Sequence, residues 1–499
     1  MKGIMIQGCT SDAGKSYVAT GLCKILSDMG YKVSPFKSQN MSNNSYVTYD
    51  GKEIGRAQGV QAEAAGIQPE TYMNPILLKP KENCCSEVVL FGEVYKSMSG
   101  REYQETFTRS KGLESLRKAL KIIEDHYDAV VIEGAGSPAE VNLNDKEIVN
   151  MCVAEEANVP VILVVDINKG GALASVVGTL ELVGENRKRI KGIIFNQFRG
   201  DISLFDDAVR WTENYTGVKV VGVLPYFDDI HIEGEDSLSI NFLKNNQSQE
   251  ALHIGIVRLP FISNHTDMEA FQYEQDVSVN FIDPNEDLSR YDGIILPGTK
   301  STIADLEYLE EQGLDKKLKA FQGSIYGICG GYQIMGETLI DEEGIDFRPG
   351  YKGYKKDGLG LLPVTTRFCP EKRVCAINAK GIHPLTEEMN VAGYEIHLGR
   401  TEATDQKFLP MWEIQGVADG YADKELHRGG SYIHNIFHND NFRCLWLNQI
   451  RKEKGLPEKD PIDTAKQKQA QYNKLGEYMK QYLDMDYILE LLEKRGNRQ

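Results

Sequence analysis

Short, nearly continuous apolar runs alternate with amphipathic stretches along the first half of the chain. The run Gly3 to Gln7 precedes the loop GCTSDAGKS, Gly8 to Ser16, and an amphipathic segment follows from Tyr17 to Met29. That order predicts strand, loop and helix. Lys32 to Phe36 predicts a second strand. A helix from about Leu113 to Asp125 leads into AVVIE, Ala129 to Glu133. Strand-like runs recur at Val159 to Val165, Ile190 to Phe195 and Val218 to Leu224, with a helix near Ala172 to Val183. Strands apolar on both faces and separated by helices bury both sides, so the pattern predicts an α/β fold with a doubly wound, mainly parallel sheet. Between these elements, Glu53 to Gly66 is helix-like, and MNPILLKP, Met73 to Pro80, is an apolar run punctuated by prolines.

NFLKNNQSQ, Asn241 to Gln249, has no apolar periodicity and marks a linker. This divides the chain into a first domain over 1–242, a linker over 243–251, a second domain over 252–450 and a helical, charged C-terminal tail over 451–499. The second domain repeats the α/β pattern, with buried-strand runs at His253 to Leu259 and Gly293 to Leu296. PGTKS and a helix from near Thr302 follow, and then SIYGICGGYQIMG, Ser324 to Gly336.

Composition narrows the function. The 499 residues leave room for two or three domains, and 41% hydrophobic with 26% charged residues is ordinary for a globular protein. A net charge of −17 excludes a general nucleic-acid or anionic-membrane binder, which needs a positive footprint, but leaves room for a small anionic substrate in a local basic pocket. No apolar run approaches the roughly 20 residues that span a bilayer, and no signal-peptide pattern precedes the first strand. Nine cysteines without CxxC pairs predict reduced thiols and a cytoplasmic location.

The chemistry lies in two stretches. In the first, backbone N–H groups at a helix N-terminus attract phosphate oxygens, so Gly8, Asp12, Gly14, Lys15 and Ser16 form a candidate nucleotide site. Lys15 reaches the outer phosphates and Ser16 ligates Mg²⁺, although Gly8 lies one position earlier than in the usual phosphate loop. Glu133, at the end of a buried strand, is placed as a second Mg²⁺ ligand. Lys37, in the polar loop PFKSQNMSNNS, is a candidate phosphate or carboxylate contact. Asp166 and Asn196 end strands on the same edge; Asn196 either reads the nucleotide base or caps a helix. In the second stretch, Cys329 sits between small residues at a strand-to-helix turn, a nucleophile elbow whose helix favours the thiolate. His434, in GGSYIHNIF, is the first candidate for its base, and His397, in GYEIHLGRT, the second. The other seven histidines lack such settings.

GCTSDAGKS, with its early first glycine, resembles the phosphate loop of the dethiobiotin synthetase superfamily, and EGAGSP at Glu133 to Pro138 fits that superfamily's magnesium-binding strand end. GICGGYQ with the late SYIH resembles a class I glutamine amidotransferase domain, which is flavodoxin-like. PFKSQNMSNNS, GRAQGVQA, MNPILLKP, LPGTKST and GYEIHLGRT together resemble the cobyric acid synthase family. The resemblance implies ATP, Mg²⁺ and glutamine as reactants. It further implies amidation of the b, d, e and g carboxylates of adenosylcobyrinic acid a,c-diamide through acyl phosphates, on the route to vitamin B12. Cobyrinic acid a,c-diamide synthase, or an amidotransferase for a non-corrinoid carboxylate, is the alternative. By the same resemblance Asp50 is a third Mg²⁺ ligand, Gly298 and Gly330 lie near an oxyanion hole, and Glu235 to Ser237 lies near the substrate. Where many class I domains carry a triad glutamate this chain has Ile436, so a Cys–His dyad is expected, with Glu395 a possible source of a carboxylate.

Overall fold

The apolar runs of the first half line up as one six-stranded parallel sheet in a computed structural model of the chain. Its strands are β1 (Lys2–Gly8), β2 (Val33–Phe36), β3 (Ala129–Glu133), β4 (Val161–Asp166), β5 (Ile190–Phe198) and β6 (Lys219–Pro225), in the order β6-β5-β4-β1-β3-β2. The structure describes residues 2–80, 85–142, 147–227, 230, 232, 252–346, 352–405 and 407–493. The expected linker and the stretch Glu235 to Ser237 lie outside them.

Successive residues of a strand point to opposite faces. Ile4 and Ile6 of β1 therefore join one core, with helix α1 (Lys15–Asp28), while Met5 joins another, with the helix Leu113–His126. The helix-like stretch from Glu53 divides into a short strand, Glu53–Gly55, and helix α2 (Arg56–Ala64). MNPILLKP contributes the strand Ile76–Pro80 to a small four-stranded sheet that the sequence pattern did not predict.

The chain forms two compact units, the first taking in residues up to 235 and again from 468 onward. The expected C-terminal tail is helical, at Thr464–Tyr482 and Met485–Glu493. Leu475, Met479, Leu483 and Ile488 complete the core built on Ile4 and Ile6. The Asp484 amide donates to the Val221 carbonyl at 2.8 Å, so this segment covers the exposed edge of β6.

In the second unit, β7 (Leu252–Val257), β8 (Val277–Ile282), β9 (Gly293–Leu296) and β10 (Ser324–Ile328) run parallel in the order β8-β7-β9-β10. The sheet continues beyond them into a largely antiparallel half. This contains β11 (Val364–Gly381), β12 (Asn390–Ala403), β13 (Leu409–Ile414) and β14 (Val417–Ala422), and β15 (Arg428–Ser431) joins it to β10. The long β11–β12 hairpin carries Glu395 and His397, and β15 leads directly to His434.

Candidate active site

The loop between β1 and α1 is shaped by two glycines. Gly14 caps α1 at a φ of 93°, and a Cβ there would meet Asn196 Nδ2 at 2.0 Å. A Cβ on Gly8 would meet the Thr10 carbonyl oxygen at 2.7 Å and Lys15 Nζ at 3.0 Å. Asn196 Nδ2 donates to the Ala13 carbonyl at 2.9 Å, so this residue clasps the loop from the end of β5. Asp166, at the end of β4, accepts the Asn168 amide at 2.8 Å. Asp12 is exposed at the loop tip with a φ of 54°. Lys15 is buried, and its Nζ donates to the Gly136 carbonyl at 3.1 Å.

Glu133 ends β3 beside this loop, buried to 1% exposure. Its Oε1 accepts from Ser16 Oγ and Lys37 Nζ, each at 2.9 Å, and its Oε2 from Gln61 Nε2 at 2.5 Å. Burial disfavours the carboxylate, but the Lys37 charge and the three donors outweigh burial and hold the group below its ordinary range. Sequence reasoning missed Gln61; its signal was its place in GRAQGVQA, one of the stretches that carried the resemblance. Asp50 lies elsewhere, exposed at the turn between Ser45–Val47 and Glu53–Gly55, where Thr48 donates to it at 2.5 Å and Lys52 lies 3.6 Å away. Those contacts are with its own turn and do not include Ser16 or Glu133.

In the second unit Cys329 stands between β10 and helix α3 (Gly330–Met335), at φ 51° and ψ −107°. A non-glycine residue in that region is strained, and the strain holds the side chain out at the turn. A Cβ on Gly331 would meet the Leu296 oxygen at 2.1 Å, and one on Gly330 would meet Thr299 Cγ2 at 2.5 Å, so both positions require glycine. Cys329 Sγ lies 3.6 Å from the Ile396 carbonyl oxygen. A Cβ on Gly298 would meet His434 Cε1 at 2.9 Å, which places the end of β9 against the histidine.

His434 is brought to Cys329, and the structure supplies a carboxylate that the sequence reading did not find. His434 Nδ1 lies 2.7 Å from Asp267 Oδ2, while Asp267 Oδ1 accepts the Asn435 amide at 2.6 Å. Asp267 is fully buried in the short helical segment His265–Tyr273. Because a carboxylate only accepts, Nδ1 carries the proton and Nε2 is left to serve the sulfur. Burial opposes charge on this ring, but Asp267 and Cys329 beside it overcome that opposition and push its pKa up to about 10. The expected bare dyad is therefore a Cys329–His434–Asp267 constellation. Ile436 is buried in the apolar core. Glu395 is tied to Arg373 and Cys375 on the β11–β12 hairpin and does not serve His434. His397 stacks on Tyr432, with ring centroids 3.7 Å apart.

Among the described residues, no group of three or more His, Cys, Asp or Glu is placed to hold a metal ion, and no helix is long and apolar enough to cross a membrane. Two family models match the chain, an AAA domain over residues 2–233 and a CobB/CobQ-like glutamine amidotransferase domain over residues 253–442. The chain is 44% identical over 498 residues to the cobyric acid synthase of Geobacillus sp. (strain WCH70), covering 98% of this chain and 97% of that protein. It is 42% identical over 503 residues to the cobyric acid synthase of Geobacillus thermodenitrificans, covering 99% of each. To that of Synechocystis sp. it is 40% identical over 509 residues, again covering 99% of each.

Proposed function

This chain belongs to the cobyric acid synthase family, and we propose that it amidates the b, d, e and g carboxylates of adenosylcobyrinic acid a,c-diamide with ATP and glutamine. The observation that carries this reading is His434 held between Cys329 and Asp267, in a chain that also bears the loop of Lys15 and Ser16 facing Glu133. A carboxylate is a poor acyl donor because its oxygen leaves badly. Attack of a substrate carboxylate oxygen on the γ-phosphorus of ATP releases ADP and gives an acyl phosphate; ammonia then attacks the acyl carbon and phosphate leaves. Lys15 and Lys37 offset negative charge on the phosphates. The Ser16 hydroxyl and Glu133 carboxylate are neighbouring hard oxygen donors, a set that fits Mg²⁺ and would hold it. Bound there, Mg²⁺ would neutralise charge developing on the transferred phosphoryl group.

Ammonia is mostly protonated at neutral pH, so the second unit makes it on demand. Cys329 Sγ attacks the side-chain amide carbon of glutamine, and His434 gives its proton to the departing nitrogen. Ammonia leaves, and water then cleaves the thioester to release glutamate. Backbone near Gly298 and Gly330 is the proposed oxyanion hole.

Mass spectrometry of adenosylcobyrinic acid a,c-diamide incubated with the protein, Mg-ATP and glutamine tests the whole reading. Exchange of a hydroxyl for an amino group lowers the mass by about one dalton per site, so an ATP-dependent fall of about four is expected. An unchanged mass with glutamate still released would keep the amidotransferase and overturn the substrate.

Asp267→Asn tests the constellation. It removes the charge that raises His434, so glutamine hydrolysis should fall by about a hundredfold or more. The wild-type ring stays protonated up to about pH 10, so its alkaline limb lies near there; in the variant that limb should move to lower pH. A pH–rate profile that keeps its shape in the variant would remove Asp267 from the chemistry.

A further inference from the structure

One turn of the chain reaches both nitrogens of the His434 ring. The Asp267 amide donates to the Asn264 carbonyl at 3.0 Å, which closes the turn. From it Asp267 takes Nδ1, and Asn264 Nδ2 lies 3.4 Å from Nε2. Asn264 is 6% exposed and holds the left-handed conformation, at φ 51° and ψ 43°. Asparagine tolerates that backbone better than most residues, but tolerance does not account for an amide aimed at Nε2. Among the described residues none donates to Asn264 Oδ1. No hydrogen bond on that side therefore fixes which end of the amide faces the ring.

We infer that Asn264 is a positioning residue for His434, its side-chain amide turning over as the proton on Nε2 comes and goes. This deepens the glutaminase reading above and rests on it. In that reaction Nε2 alternates between two forms. The charged ring holds a proton there, which needs an acceptor. Once that proton has gone to the departing nitrogen, Nε2 holds a lone pair, which needs a donor. Asparagine carries one of each on a single rotatable group, so Oδ1 accepts from Nε2–H before the transfer and Nδ2 donates to Nε2 after it. Water then gives a proton to Nε2 as its oxygen attacks the thioester carbon and the Cys329 sulfur leaves, and the amide turns back. A carboxylate in this place would serve only the charged ring, and an apolar side chain would serve neither form. The other groups that face the ring do not take this part. Asp267 is committed to Nδ1, Cys329 is the nucleophile, and the Tyr394 ring of β12 stacks on the imidazole with centroids 5.0 Å apart. With its pKa pushed up to about 10, the ring is charged at neutral pH, and the amide then meets it through Oδ1.

The experiment records pH–rate profiles of glutamine hydrolysis for the wild-type chain, Asn264→Gly and Asn264→Asp. Glycine and aspartate both adopt the left-handed backbone, so each variant keeps the turn. Asn264→Gly should lower kcat by about ten- to a hundredfold with KM little changed. It removes an acceptor that favours the charged ring, so its alkaline limb should fall by about one pH unit. Asn264→Asp keeps an acceptor and adds negative charge, so its limb should lie no lower than that of the wild type, while kcat still falls because the donor is gone. A merely structural role slows the reaction and leaves the limb in place. An unmoved limb in Asn264→Gly overturns the assignment. So does a lowered limb in Asn264→Asp, even where the glycine variant is too slow to profile. A wild-type chain that hydrolyses no glutamine would instead overturn the glutaminase reading itself, and this role with it.

Discussion

Cys329→Ala is expected to abolish glutamine-driven amidation while synthesis from added ammonium at raised pH continues. In the proposed reaction the thiol attacks the amide carbon and nothing else in the constellation replaces it, since His434 and Asp267 would only move and orient a proton. Ammonium at raised pH supplies free ammonia directly, so only the source of nitrogen is removed. The strained backbone at φ 51° accepts alanine as it accepts cysteine, at similar cost. Product formation followed by mass, with each nitrogen source in parallel, gives the answer. Loss of both activities would sink the division of labour between two sites.

Lys15→Ala should remove synthesis from either nitrogen source, by about a thousandfold or more, because in the proposed reaction carboxylate activation precedes every use of ammonia. In the structure Lys15 Nζ rests on the Gly136 carbonyl, within a loop whose shape is fixed by Gly8 and Gly14. Truncation removes the side chain beyond Cβ, its ammonium group included, while the two glycines still shape the loop. Turnover like that of the wild type with either nitrogen source would count against a phosphate-binding role for this loop.

Much of this was legible in the sequence because its signals are local. An apolar run, a glycine-bearing loop and a helical period lie within a few dozen residues around Lys15, and again around Cys329. A parallel sheet then brings strand ends to one edge without further instruction, which is how Glu133 and Asn196 come to flank the same loop. Asp267 was not legible. It stands in a polar stretch with no periodicity, and its partner His434 is reached only after β15 has crossed to β10. Gln61 was hidden for a similar reason: an amide on a small-residue helix carries no chemical signature until its neighbour is known. Asp50 shows the opposite failure. Its position along the chain suited a metal ligand, but a tight turn between two short strands sends it to solvent. The antiparallel half of the second sheet also escaped the reading, although it holds both Glu395 and His397.

The core of the first unit is not continuous along the chain, and that sets an order on biosynthesis. Leu475, Met479, Leu483 and Ile488 pack with Ile4 and Ile6, and a Cβ on Gly21 of α1 would meet Met479 Sδ at 2.0 Å. A ribosome therefore releases every residue of the ammonia-producing unit before it delivers the side chains that finish the ATP-using one. Domains fold as units as they emerge, so the producer leaves the ribosome whole before the segment from Leu475 to Ile488 reaches the consumer. A nascent chain cut short after the second unit would carry a glutaminase whose ATP-using partner lacks part of its core.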